Sequence, residues 1–127
     1  MRVSRGQLIA LLEGNVLELR FYRRHPKPGW NDIRRMLVTN DQQILNSAPG
    51  KLALHFKPPT HAPAYNYHMR NLACGWDLFW QQYRMVPAES CDVITIIPTR
   101  PPEKFWNYFN LYLQAMTPND KIQFMSS

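Results

Sequence analysis

The side chains between Arg20 and Arg35 carry the most readable chemistry in the chain. Arg20, Arg23, Arg24 and Lys27 lie on and just beyond one alternating segment, and Arg34 and Arg35 open the next. Like charges set opposite one another across a hairpin repel, so such a cluster is usually kept where an anion or a partner's carboxylates neutralise it. Arginine suits this role because its planar fork grips phosphate through two hydrogen bonds. Tyr22 and Trp30 place aromatic faces beside the charge. That combination serves single-stranded nucleic acid, where bases stack and phosphates pair with cations. The plain alternative is a solvated basic face that keeps the chain soluble.

Other constellations are weaker. His55, His61, Tyr65, Tyr67, His68 and Arg70 crowd a proline-rich stretch. Histidines separated in this way do not follow a recognised metal-ligand spacing, so a ligand or partner pocket is the better reading and no metal or cofactor is expected. Asp77 follows Trp76, yet no second carboxylate has a spacing that would make an acid–base pair. Its expected job is to cap a tight turn while Trp76 packs inside. Glycine-rich phosphate loops, Ser-His-Asp arrangements and nucleophilic-cysteine contexts are absent from the sequence, so an enzyme is not expected.

These residues must be positioned by the surrounding elements. Ser4 caps a predicted helix over 4–13, with Leu8, Leu11 and Leu12 on one side and Gly14 as a left-handed stop. From Val16 the period becomes two. Leu17, Leu19 and Phe21 form the expected core face of a half-buried strand, with Glu18, Arg20 and Tyr22 facing out. A loop over 25–32 leads to a return strand, Ile33 to Thr39, whose inward set is either Met36 and Val38 or Ile33 and Leu37. Asn40-Asp41 caps a helical turn, and Leu52, Leu54 and Phe56 suggest a short edge strand closed by Pro58-Pro59. Leu72 to Val86 reads as two antiparallel strands turning at Asp77 to Gln81, followed by a single 3₁₀ twist. The last strand, Cys91 to Ile97, is expected to be buried on both faces.

Beyond Pro98 the period changes again. Phe105, Phe109, Tyr112, Leu113 and Met116 recur at helical spacing, while Trp106, Tyr108 and Leu111 make the helix apolar nearly all round. A helix of that kind is sandwiched or lies in an interface. Trp106, Tyr108, Leu111 and Tyr112 are therefore candidate contacts for a homo-oligomer or a protein partner. The 101–125 region reads as a helical appendage.

Length and composition set the remaining bounds. A chain of 127 residues is one domain by size, and 45% apolar residues suffice for a core. No apolar run approaches the roughly 18 to 20 residues that span a bilayer, so a soluble chain without membrane contact is expected. A formal charge of +6 favours polyanionic partners or acidic protein surfaces. Cys74 and Cys91 read as buried apolar residues rather than a disulfide. The expected fold is mostly β: a small five-stranded SH3/Sm-like barrel over 16–97, with a short N-terminal helix and a C-terminal amphipathic helix.

Glu18-Leu19-Arg20-Phe21, Arg34-Arg35-Met36, Thr39-Asn40-Asp41, Pro58-Pro59, Tyr65-Asn66, Trp76-Asp77-Leu78, Tyr83-Arg84 and Cys91-Asp92-Val93-Ile94 together resemble the WYL-like family of Sm-like SH3-barrel proteins. The resemblance covers about residues 12 to 97. Trp-Asp-Leu followed by an aromatic-Arg pair is its most specific part. The family often has Val before the Trp and Trp-Arg in the next strand, where this chain has Gly75 and Tyr83-Arg84. The resemblance implies a barrel and a tailed-bacteriophage origin, and it implies no established chemistry. The expected function is a non-enzymatic phage accessory protein in the host cell cytoplasm. It would bind nucleic acid through Arg20, Tyr22, Arg23, Arg24, Lys27, Trp30, Arg34 and Arg35. The rival is a module that captures a host or phage protein, as an inhibitor or adaptor in host takeover.

Overall fold

The computed structural model describes residues 1–25, 28, 32–46, 70–80 and 82–125. Helix α1 (Arg5–Gly14) leads directly into β1 (Asn15–Tyr22). Then come β2 (Ile33–Thr39), the single turn α2 (Gln42–Leu45), β3 (Leu72–Asp77), β4 (Gln82–Pro87), a 3₁₀ turn (Ala88–Ser90), β5 (Asp92–Pro98), α3 (Pro102–Ala115) and α4 (Pro118–Met125). The five strands make one antiparallel sheet in the order β4-β3-β2-β1-β5. Among the described residues about 41% are helical and 37% extended, so the fold is mixed α/β rather than mostly β, and the sheet is open rather than closed. Lys27, Trp30, the proposed Leu52–Phe56 strand and the His55–His61–His68 stretch lie outside the described residues. No helix among those described is long and apolar enough to cross a membrane.

Local chemistry explains the elements. The Ser4 side chain accepts from the Gln7 N–H and the Gln7 side chain accepts from the Ser4 N–H, a reciprocal cap that fixes the start of α1. Its end departs from the glycine-stop expectation. Asn15 leaves the helix in an extended conformation (φ −144°), and its side-chain amide donates to the Leu11 carbonyl, so the orphan carbonyl is satisfied without a left-handed residue. Asp41 caps α2 by accepting from the Gln43 N–H at 3.1 Å.

The sheet is covered on both sides. On one face Leu17, Leu19, Phe21, Met36, Val38 and Val86 pack beneath Leu8 and Leu12 of α1. Neither alternative for β2 holds by itself: Met36 and Val38 face this core, Leu37 is buried in the opposite one, and Ile33 is exposed. On the other face Val16, Leu37, Trp76 and Ile97 pack against Ile44 and Leu45 of α2, Phe105, Trp106 and Phe109 of α3 and Phe124 of α4. The C-terminal region is therefore half of the core, not an appendage. Burying its aromatic face stabilises the fold by more than capping can, because each large side chain removed from water contributes about 1.5–3 kcal/mol. Two further expectations change. The outward face of β1 is buried at Val16 and Glu18, because the C-terminal helices cover it. β5 is buried on one face only: Ile94 and Ile96 are exposed.

Cys74 and Cys91 are free and buried. Burial, helped by Asp92, pushes the Cys91 thiol up to about 11, as expected of a small apolar core residue.

Gly75 is required by packing. A Cβ at that position would stand 2.3 Å from Cγ2 of Val38 on the neighbouring strand. Val38 is β-branched and fully buried, so it has no rotamer to retreat into. Gly75→Ala is expected to destabilise the protein by about 1–3 kcal/mol, seen as a lower urea midpoint, and Val38→Ala in the same chain should recover part of the loss.

Candidate anion-binding site

The hairpin register places Arg20 opposite Arg35, one facing pair of like charges of the kind expected, and puts Phe21 opposite Arg34. The cations do not share a face. Arg35 lies on the face covered by the C-terminal helices. Its two terminal nitrogens donate to Glu18 Oε2 at 2.6 Å and Asp120 Oδ1 at 2.7 Å, and its guanidinium sits 4.6 Å from the centre of the Phe124 ring. Burial works against its charge, but the bonds to Glu18 and Asp120 outweigh that effect and hold the group above its ordinary range. Glu18 also accepts from the Tyr112 hydroxyl at 2.7 Å. Arg35 therefore fastens α3 and α4 to the sheet and is not available to a ligand.

Arg34 points to the opposite face and is 3% exposed. β2 and β3 are paired only through Val38↔Asp77 and Thr39↔Trp76, and Arg34 occupies the gap where the strands part. It donates to Asp77 Oδ2 at 3.1 Å and to the carbonyls of Gln123, Phe124 and Arg35. Burial lowers its pKa to about 10, offset in part by Asp77, so it stays charged near neutrality. Asp77 accepts from the Phe79 and Trp80 N–H groups at 2.9 and 3.1 Å, which fulfils the turn-capping expectation and adds an ion pair to it. Arg24 forms a two-pronged pair with Glu89 at 2.6 and 2.8 Å. Arg20 and Tyr22 are exposed on the helix-covered face, beyond the reach of its core. Of the helix contacts proposed, Trp106 is core and Tyr112 is half-buried on Glu18, while Tyr108 and Leu111 are exposed.

What the structure brings together is a different set of arginines. Arg23, Arg34 and Arg84 line one hollow of about 160 Å³ with Phe21, Met36 and Met85. A second hollow of about 300 Å³ shares Phe21, Arg23 and Met85 and adds Arg24, His25, Arg70, Leu72 and Pro87. Carboxylates line neither hollow among the described residues. Arg84 stands across the ladder from Gly75. Its guanidinium lies 5.6 Å from the Trp80 ring centre, and its Nε is buried with no hydrogen-bond partner among the described residues. Burial and then Arg84 lower the pKa of Arg23, and Arg23 and Arg84 both act on Arg34 in the same direction. The three cations therefore lie close enough to feel one another's charge.

Sequence reading named Arg23, Arg24 and Arg34 and did not group Arg70 and Arg84 with them. Arg84 was visible only as part of an aromatic-Arg pair, and Arg70 as a neighbour of histidines. Their meeting with Arg23 depends on strand register, which composition does not carry.

No family model matches the chain, and neither the curated proteins nor the solved structures give a significant match.

Proposed function

We propose that this chain is a non-enzymatic accessory protein of a tailed bacteriophage, working in the host cytoplasm. Its reading as an Sm-like barrel has nucleic acid bound at the arginine-lined hollows. The barrel reading draws support from the strand order β4-β3-β2-β1-β5 behind an N-terminal helix, the 3₁₀ turn between β4 and β5, and the approach of β1 to β4 across the α1 face. The single observation that carries the binding reading is the convergence of Arg23, Arg34 and Arg84 on one hollow, with Arg24 and Arg70 on the next. Phosphates suit the guanidiniums, and Phe21 with the methionines gives bases apolar surface beside them.

The test is affinity for single-stranded DNA and RNA across salt. Each phosphate neutralised contributes a slope of about −0.7, so three contacts weaken binding about 20-fold between roughly 50 and 200 mM salt. Arg23→Gln and Arg84→Gln should each lower the slope by about 0.7, whereas Arg20→Gln should not. A flat salt response, or no binding by a folded protein, removes this reading.

One observation favours a protein partner instead. Ile96, Ile97, Pro98, Phe105 and Tyr108 form a hollow of about 400 Å³ rimmed by Arg100 and Lys104, which suits an apolar segment carrying carboxylates. A folded chain that ignores every oligonucleotide shifts the weight to that reading.

A further inference from the structure

We infer that the open edge of β5, from Ile94 to Pro98, takes an extended acidic peptide as a sixth strand, with an apolar side chain seated in the hollow of about 400 Å³ beside α3. The inference rests on the protein-partner reading above and is independent of the arginine-lined hollows. Backbone direction leads there first. The Arg23 N–H donates to the Asp32 carbonyl, so odd-numbered residues of β1 turn their backbone groups toward β2 and even-numbered ones toward β5. Val16 and Glu18 are therefore the bonded partners of Ile97 and Thr95, while Ile96, opposite Leu17, turns its N–H and carbonyl outward. β5 is the last strand of the sheet, and nothing among the described residues bonds to Ile96 on that side. Just upstream the same edge is already in use. The Val93 N–H donates to the Met1 carbonyl at 2.8 Å, the Met1 amino group donates back to the Val93 carbonyl at 2.8 Å, and Arg2 forms an antiparallel bridge with Asp92. A segment laid on this edge thus finds ladder geometry, and the stretch from Ile94 onward is what is left for it.

Side chains and charge then define the segment. A residue placed opposite Ile97 shares its face, the one covered by α3, so its side chain enters the hollow between Ile97, Phe105 and Tyr108. Ile94, Ile96 and Tyr108 are 46%, 40% and 45% exposed, which is apolar surface left uncovered along the same edge. Arg100 and Lys104 line the hollow too; both are exposed, and neither is paired with a carboxylate among the described residues. Acidic residues flanking the apolar one complement them. A second copy of the chain does not. Its formal charge is +6, its other edge strand β4 carries no carboxylate, and the one carboxylate of β5, Asp92, is held by the Met1 amino group. In such an addition the backbone bonds supply affinity, and the hollow with its cationic rim supplies selectivity.

The experiment selects binders to the full chain from a displayed library of random peptides and measures the selected sequences as labelled synthetic peptides by fluorescence anisotropy. The expected winners carry an apolar or β-branched residue flanked by Asp or Glu. A single N-methyl group moved along such a peptide should weaken binding about tenfold at every second residue and little in between, the period of a strand bonded on one side. Hydrogen exchange should show the Ile96 amide slowed at least about tenfold by saturating peptide. Arg100→Glu with Lys104→Glu should weaken the acidic peptides about five- to tenfold, and Lys121→Glu should not. All three positions are exposed, and thermal unfolding shows that each variant is folded. No enrichment by the folded chain overturns this inference together with the protein-partner reading. Peptides that depend on Arg100 and Lys104 yet ignore N-methylation and leave the Ile96 amide unprotected overturn strand addition and leave the protein-partner reading standing. Winners without acidic residues overturn the assigned chemistry of the partner. An Ile96 amide protected without peptide as protein concentration rises assigns the edge to a second copy and overturns the peptide.

Discussion

A chain cut before Pro101 will not fold cooperatively. The cut removes Phe105, Trp106, Phe109 and Phe124, which are almost fully buried against Val16, Leu37, Trp76, Leu78 and Ile97. Truncating a single buried aromatic to alanine costs about 3–5 kcal/mol, and a domain of this size has only about 5–15 kcal/mol in total. Four such losses match or exceed the whole. The cut also takes away Asp120 and Tyr112, leaving the buried Glu18 and its partner Arg35 short of hydrogen bonds. The expected result is loss of near-ultraviolet dichroism and of a sigmoidal urea transition. Phe109→Ala in the full chain should keep the transition but move it down by about 3–5 kcal/mol. A shortened chain that still unfolds sigmoidally would restore the appendage reading.

Arg34→Met is expected to be the most damaging single exchange in the hairpin, at about 3–5 kcal/mol, because it leaves the buried Asp77 carboxylate unpaired and three carbonyls without their donor. The loss should depend on pH in a definite direction. The Asp77 carboxyl already stands above its ordinary range, since burial outweighs the Trp80 N–H, Arg34 and the Phe79 N–H. A raised pKa means that the folded protein holds this proton more tightly than the unfolded chain. The group therefore favours folding below its unfolded value and loses that contribution as pH rises through the folded value. Removing Arg34 takes away one opposing influence and widens the gap. Urea midpoints should accordingly show a deficit that is largest near neutrality and shrinks as the pH falls. Adding Asp77→Asn to the variant should recover part of it. A deficit independent of pH would mean that the lost contacts are those to the carbonyls alone.

Most elements of this fold are written locally. Ser4 with Gln7, the alternation from Leu17 to Phe21, the Asp77 turn and the proline-led helix at Pro102 each announce themselves over a few residues, and the structure places them where those signals fall. What was not legible is which faces are covered. Glu18 read as solvent-facing because period-two patterning assumes one wet side, and here helices cover both. Ile94 and Ile96 read as buried because a run of β-branched residues looks like a central strand, yet β5 is an edge. The candidate site suffered from the same gap. Six hairpin cations look alike in a sequence, but Arg24, Arg34 and Arg35 are each held by a carboxylate. Arg84 joins the set only through its register with Gly75.

The place of β1 in the sheet also has a kinetic side. One of its neighbours, β2, follows after a short loop; the other, β5, is some seventy residues further along, with Leu17 paired to Ile96. Chains dominated by such distant pairings fold in about milliseconds to seconds, because the large loop must close before the contacts reward it. The β1–β2 hairpin is thus ready first and waits with one edge of β1 open. During that interval the open edge is a template for β5 of another molecule as much as for its own. Refolding yield should therefore fall as protein concentration rises, with strand-exchanged dimers as the first by-product.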